Sequence, residues 1–219
     1  MAHLIHVWHE RNGWSHKVLP ALSESLDLGR LHSSQISNLR NGKLASPGPE
    51  VFLALAEANS ILYKGIGSIS DQLSEAHPEL LKVLLESAIP LLGEDGEPIG
   101  AGNFFEIFVG LASLPACFNW FIEEEEAMHL SAALADFFCE GMSWRNCGQK
   151  VLSAYPVQKD IRRVRFAEVM SGLRDYTAEE LDGELLDLYA TSINLGGKNL
   201  LGVDVFLQEL RSRAKLFKT

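Results

Sequence analysis

The sequence predicts an all-α chain, built as a small N-terminal module followed by a larger helical domain. Three observations carry that prediction. Apolar residues recur at intervals of three and four along most of the 219 residues, the spacing of one helix face, whereas strict strand-like alternation is scarce. Glycine, proline and asparagine interrupt the pattern where helices of ordinary length would end. The glycine- and serine-rich stretch 64–70, KGIGSIS, marks a boundary and divides the chain into 1–65 and 70–219.

The first helix is expected over 4–11, stopping at Asn12-Gly13. The second starts at Ser15, whose short side chain suits a helix N-cap, and carries Val18, Leu19, Leu22 and Leu26 at helical spacing. Pro20 is tolerated in its first turns, where a missing N–H costs little. Asp27-Leu28-Gly29 then marks a break. A third helix is expected over 33–40, ending at Asn41-Gly42, where a glycine suits the left-handed end. Pro47-Gly48-Pro49 forms a loop that starts a fourth helix over 50–58, with Val51, Phe52, Leu55 and Ala58 as one stripe. Further helices are expected at about 71–92, 103–114, 117–140, 144–154, 158–174, 178–192 and 203–216. The loop 93–102, GEDGEPIGAG, is the clearest break among them. Thr177-Ala178-Glu179-Glu180 has the capping-box spacing, in which Thr and Glu satisfy each other's backbone amides.

Hydrophobic residues at 47% and charged residues at 22% supply an ordinary globular core. No apolar run approaches the roughly 18 residues of a spanning helix, so no membrane partner is expected. The longest candidate, 104–122, is broken by Glu106, Gly110, Pro115 and Asn119. The start MAHLIHVWHERNG, with histidines and charges among its apolar residues, does not fit a signal peptide. Cys117, Cys139 and Cys147 are an odd number at no metal-ligand spacing and read as reduced thiols of a cytoplasmic protein. The net charge of −10 is uneven: residues 1–70 carry a net +1, residues 71–140 a net −13 and residues 141–219 a net +2. The middle third must therefore face away from any nucleic acid, and only the two ends suit contact with it.

The stretch 33–43, SSQISNLRNGK, has Ile36 and Leu39 as a narrow apolar edge and short polar residues on a broad face. Gln and Asn match adenine in the major groove, Arg matches guanine, and Lys43 stands where a phosphate contact is natural. Ile36, Ser37, Leu39, Gly42 and Lys43 fall on the pattern I-S-x-hydrophobic-x-x-G-K/R, followed by Pro47 or Pro49 and the apolar run 51–56, VFLALA. On these residues the segment 32–59 resembles the lambda-repressor-like (Xre-type) helix-turn-helix DNA-binding family. The resemblance implies a helix-turn-helix module over 1–65 that binds double-stranded DNA as a homodimer on paired half-sites. It implies that Ser33, Ser34, Gln35, Ser37 and Asn38 face the groove and that Arg40 and Lys43 hold the backbone. Ser15 and Lys17 would approach phosphate through the start of the second helix. Between Ser15 and Ile36 this chain has roughly six residues more than the tight turn of the family requires.

The stretch 159–165 holds four basic residues in seven. With Ile161, Val164, Ala167, Met170 and Leu173 as the buried stripe, Lys159, Arg162, Arg163 and Arg165 stay outside, as secondary phosphate contacts or as an acid-paired face. In the C-terminal stretch 203–217, Val203, Phe206, Leu207, Leu210, Ala214 and Phe217 share one face, which closes the core or forms a dimer contact; Arg211, Arg213, Lys215 and Lys218 gather toward its end. The acidic run Glu123–Glu126 with His129 holds only one copy of a Glu-x-x-His motif and reads as a solvated face rather than a metal site. His3, His6 and His9 recur on neighbouring turns without a further ligand set, so neither metal nor cofactor is expected. No nucleophile elbow, phosphate-cradling glycine loop or paired metal motif appears, so no enzymatic activity is expected. The expected function is transcriptional regulation by DNA binding. The alternative is a regulator that binds a protein partner through the acidic part, and a small-molecule pocket lined by the apolar 104–121 stretch is a third possibility.

Overall fold

The computed structural model describes residues 1–115, 118, 120, 122–196 and 202–215. Cys117, Phe217 and Lys218, which entered the sequence reading, lie outside the described residues. The protein is all-α: among the described residues there are twelve α-helices, one 3-10 turn and a single isolated bridge between Leu92 and Pro98.

The chain forms two compact units, Met1–Trp120 and Phe121–Thr219. The first contains α1 (Ala2–Asn12), α2 (Val18–Ser25), α3 (Ser33–Arg40), α4 (Pro49–Lys64), α5 (Ser70–Ala76), α6 (Pro78–Glu86) and α7 (Ala101–Val109). The second contains α8 (Glu124–Cys139), α9 (Trp144–Ala154), α10 (Asp160–Met170), α11 (Ala178–Asn194) and α12 (Val203–Ala214).

The expected boundary at 64–70 thus lies inside the first unit. The glycine-rich stretch there is a turn, Ile66–Ser68, and Ile66 is buried in the core. Beyond it the chain returns to the first helices. Segment 87–91 lies outside any strand, and most of its hydrogen bonds come from side chains of α1, Trp14 and α4, beside backbone bonds such as Ile99 N–H to Leu91 O at 3.0 Å. Asn12 Nδ2 donates to Ile89 O at 3.0 Å, while its Oδ1 accepts Ser87 Oγ at 2.8 Å and Ile89 N–H at 2.7 Å. The Trp8 and Trp14 indoles donate to Ile89 O and Ser87 O at 3.0 and 3.1 Å. Asn59 Oδ1 accepts Leu91 N–H at 2.7 Å, and its Nδ2 donates to Leu91 O and Ile99 O at 2.8 and 3.2 Å. Buried backbone must find partners, and here two amide side chains provide them. Helix α7 then packs on α4, and Phe104 stacks on Trp8 with ring centroids 6.4 Å apart.

Other boundaries moved for local reasons. The helix expected over 71–92 is two helices, because Pro78 takes a first-turn position and forces His77 out of helical geometry (φ −144°, ψ 61°). Helix α2 begins at Val18 rather than Ser15; Ser15 instead opens a turn in which its Oγ accepts the Lys17 N–H at 3.4 Å. The Thr177 capping box forms as expected, with Thr177 Oγ1 accepting Glu180 N–H at 3.2 Å and a Glu180 carboxylate oxygen accepting Thr177 N–H at 3.1 Å.

His9 in α1 is fully buried. A carbonyl can only accept, so Nδ1–H donates to Ile5 O at 2.7 Å, and Nε2 has no hydrogen-bond partner. Burial, reinforced by the nearby positive charge of Arg40, lowers the His9 pKa from 6.5 to about 4 despite the bond to Ile5. In the unfolded chain His9 takes a proton below pH 6.5, whereas in the folded chain it resists protonation until about pH 4. The His9 contribution to stability is therefore present above pH 6.5 and is lost as pH falls toward 4, by about 3 kcal/mol in all. Urea unfolding of the wild type and His9→Leu across that range measures it. The wild type loses more stability on acidification than the variant; parallel profiles would contradict this assignment.

The second unit is built around α8, against which α9, α10, α11 and α12 all pack. Phe206, Leu207, Leu210 and Ala214 of α12 are buried in this unit, so these residues of the C-terminal stripe close its core. Arg211 pairs with Glu126 at 2.7 Å and Arg213 with Asp136 at 3.2 Å.

Candidate nucleic-acid interface

Helix α3 is held by Ile36 and Leu39, both buried against α1 and α2. The opposite face carries Ser33, Ser34 and Asn38 exposed, Ser37 half-buried beside them, and Asn41 exposed at the helix end. The helix stops where Gly42 turns left-handed (φ +62°), with Gly42 N–H donating to Leu39 O at 3.1 Å and Lys43 N–H to Asn38 O at 2.8 Å. This paired closure satisfies the last carbonyls and leaves Lys43 exposed directly beyond them.

Three of the expected contact residues have additional structural duties. Gln35 closes the helix start, its Oε1 accepting the His32 N–H at 2.8 Å. Arg40 is half-buried with a guanidinium nitrogen 3.9 Å from the Glu10 carboxylate. Ser15 belongs to the turn before α2, and Lys17 beside it is exposed. Two residues that the sequence reading passed over also flank the helix. Arg30 and His32 are both exposed in the segment leading into α3. A count of cations within the turn between helices would have found Arg30.

That segment, 26–32, is the extra length relative to a tight helix-turn-helix. It is anchored rather than loose. Leu31 is buried, Leu26 and Leu28 pack on the core, and Ser23 Oγ donates to Gly29 O at 2.9 Å. Asp27 adopts a left-handed φ of 51° to make the bend.

The basic stretch 159–165 is placed differently from expectation: the helix face is inverted over its first turns, while Met170 of the expected stripe is buried. Ile161 and Val164 are exposed on α10, whereas Arg162 is fully buried and Lys159 is 8% exposed. Arg162 Nε and Nη2 donate to the two carboxylate oxygens of Glu184 at 2.7 and 2.5 Å, and Nη2 also reaches Asp187 at 2.7 Å. Tyr155 Oη donates to the same Glu184 carboxylate. Burial and the adjacent Glu184 charge push the Tyr155 pKa well up, keeping its proton in place. For Arg162, burial opposes the charge, but Glu184 outweighs it and raises the pKa. Arg163 donates to the backbone oxygens of Val157 and Leu152 at 2.8 and 3.1 Å, and Arg165 lies 3.4 Å from Glu180. These guanidinium groups serve the interior of the second unit. They do not form an outward phosphate-binding surface, because Glu184, not solvent, sets which face of α10 turns inward.

The acidic run is used in the same manner: Glu124 accepts the Ala178 N–H at 2.9 Å and Glu126 holds Arg211. Part of the apolar 104–121 stretch lines a cavity of about 490 Å³, where Ile107, Leu111 and Leu114 face the acidic loop of Glu94, Asp95 and Glu97. Among the described residues no helix is long and apolar enough to cross a membrane.

Residues 1–110, half of the chain, match the family model described as Domain of unknown function (DUF8644). The chain belongs to that family. A second family model, described as Domain of unknown function (DUF8645), matches residues 127–219. The two matches fall one in each compact unit, and the first runs through 64–70 without a break. No curated protein and no solved structure matches the chain.

Proposed function

We propose that this protein is a cytoplasmic transcriptional regulator that binds double-stranded DNA through α3, as the sequence resemblance implies. One observation carries the reading: α3 is anchored by Ile36 and Leu39 and offers outward only short hydrogen-bonding side chains, with Arg30 and Lys43 exposed at its two ends. Such a face reads base edges, while the flanking cations and Lys17 hold phosphates. The first unit has seven Lys/Arg against thirteen Asp/Glu, so the binding is weak or partner-assisted and draws on few phosphates. Arg162 and Arg163 play no part in it.

Selection of a binding sequence from a random duplex pool, followed by titration at 25 to 200 mM salt, tests the reading. With Arg30, Lys43 and Lys17 each neutralising about one phosphate, the log–log salt slope is about −3. Lys43→Ala weakens binding to all duplexes alike and reduces that slope by about 1. Asn38→Ala weakens the selected sequence by about 5- to 150-fold and leaves non-specific binding unchanged. Absence of binding at the lowest salt would sink the proposal. Sedimentation with the selected duplex shows whether two copies occupy it.

The second reading, a regulator that binds a basic protein partner, has its own observation. Asp71, Glu75, Glu79, Glu94, Asp95 and Glu97 are all exposed on the first unit. It predicts salt-sensitive retention on a polylysine surface, unchanged by Asn38→Ala.

A further inference from the structure

Helix α8 ends at Cys139, and α9 begins at Trp144 after a link of four residues. Glu140 and Gly141 in that link both take left-handed φ values, 49° and 75°, and Met142 N–H donates back to Cys139 O at 2.8 Å. This tight reversal sets the last residue of α8 against the start of α9. Cys147 Sγ lies 2.7 Å from Cys139 Sγ, and both side chains are buried. A disulfide requires a separation of about 2.05 Å, so the sulfurs need to approach by less than about 1 Å. No helix has to move to another position for that.

The two thiols differ in their surroundings. Cys147, with Met142, Lys150, Val151 and Leu195, lines a cavity of about 300 Å³, whereas Cys139 does not line it. Cys139 is instead held protonated: burial, then its hydrogen-bonded neighbour Cys147, push its pKa up to about 12.

We propose that Cys139 and Cys147 are a redox-active dithiol, with Cys147 as the thiol that meets a small peroxide through the cavity and Cys139 as the thiol that resolves it. Cys147 as thiolate attacks one peroxide oxygen; the O–O bond breaks and the leaving hydroxide takes up the proton that Cys147 lost. The product is a sulfenic acid on Cys147 and one water. Cys139 Sγ then attacks the Cys147 sulfur, the S–O bond breaks, and the Cys139 proton leaves with that hydroxyl as a second water. Two electrons pass from the two thiols to the peroxide. The resulting disulfide ties the end of α8 to the first turns of α9.

The test uses the full chain carrying Cys117→Ser, in which two thiols remain. Hydrogen peroxide is added at doses that leave the far-ultraviolet circular dichroism unchanged. The expected result is loss of both alkylatable thiols, a mass lower by about 2 Da, and a single cross-linked peptide joining Cys139 and Cys147, all reversed by dithiothreitol. With Cys139→Ser added, the disulfide is absent and dimedone labels Cys147 instead; with Cys147→Ser added, Cys139 stays alkylatable. Two thiols still alkylatable after exposure would overturn the proposal. So would a sulfinic acid on Cys147 beside a free Cys139, or disulfides formed only between chains.

Discussion

Arg162→Met is expected to destabilise the second unit by about 3–5 kcal/mol, the scale for breaking a buried ion pair by removing one partner. The cause is the group left behind. Glu184 sits fully inside the protein, and its carboxylate is held by two guanidinium nitrogens and the Tyr155 hydroxyl. Without Arg162 that charge loses the guanidinium that pairs both its oxygens, and the Asp187 carboxylate loses its guanidinium as well. Arg162→Lys does not rescue the site, since an ammonium cannot present the planar fork that meets both Glu184 oxygens together. Arg162→Met with Glu184→Met regains much of the loss, because an apolar pair of similar volume removes the stranded charge. Urea unfolding followed by hydrogen exchange at α10 and α11 amides checks the series. A single variant within about 1 kcal/mol of wild type would show that the pair is not the structural centre of this unit.

The same residue shows where sequence reading stops. Helix positions were legible because they follow from local spacing: α3, α9 and the starts of α11 and α12 fall where apolar periodicity and capping residues put them. Burial of Arg162 was not legible, because it depends on Glu184 and Asp187, more than twenty residues away on another helix. Hydrophobic patterning assigned the inner face to Ile161 and Val164, but a paired guanidinium held by three oxygens outweighed two aliphatic side chains. The unit boundary was misplaced for a related reason. Glycine and serine at 64–70 mark a turn correctly, yet composition alone does not distinguish a turn within a core from a linker between cores. That distinction depends on Asn12, Asn59 and Trp8 reaching segment 87–91. At α3 the polar face, the apolar anchors and Gly42 were legible, since all are properties of eleven consecutive residues. Arg30 was missed because the turn before α3 was treated as spacer, and its leucines, which fix that turn to the core, carry no local periodicity.

Asn59→Ala is expected to cost the first unit about 3 kcal/mol, more than truncation of an ordinary exposed side chain by a wide margin. Asn59 is completely buried and bonds three backbone groups, Leu91 N–H, Leu91 O and Ile99 O. Alanine leaves the Leu91 N–H and Ile99 O in the interior with no side chain to meet them, while Leu91 O keeps the Ile99 N–H at 3.0 Å, and each unmet group costs roughly 1–3 kcal/mol before the structure relaxes. Asn59→Asp separates the two halves of this argument. Its carboxylate still accepts the Leu91 N–H but offers no donor to either carbonyl, and it brings a charge inside, so it destabilises at least as much as alanine at pH 7. Asn59→Leu keeps the volume and restores no hydrogen bond, so it remains destabilising too, which distinguishes lost polar pairing from a cavity. Native-state hydrogen exchange at the Leu91 amide gives the local readout: its protection falls in all three variants, while amides at the centre of α3 follow only the global loss. Asn12 holds segment 87–91 through Ser87 and Ile89, two residues from the Asn59 contacts. The Asn12→Ala and Asn59→Ala costs therefore fall short of additivity in the double variant, because the first substitution already frees the segment that the second would release. Full additivity would mean that the two asparagines act on independent pieces of the unit, and that 87–91 is not the strap joining α1 to α4.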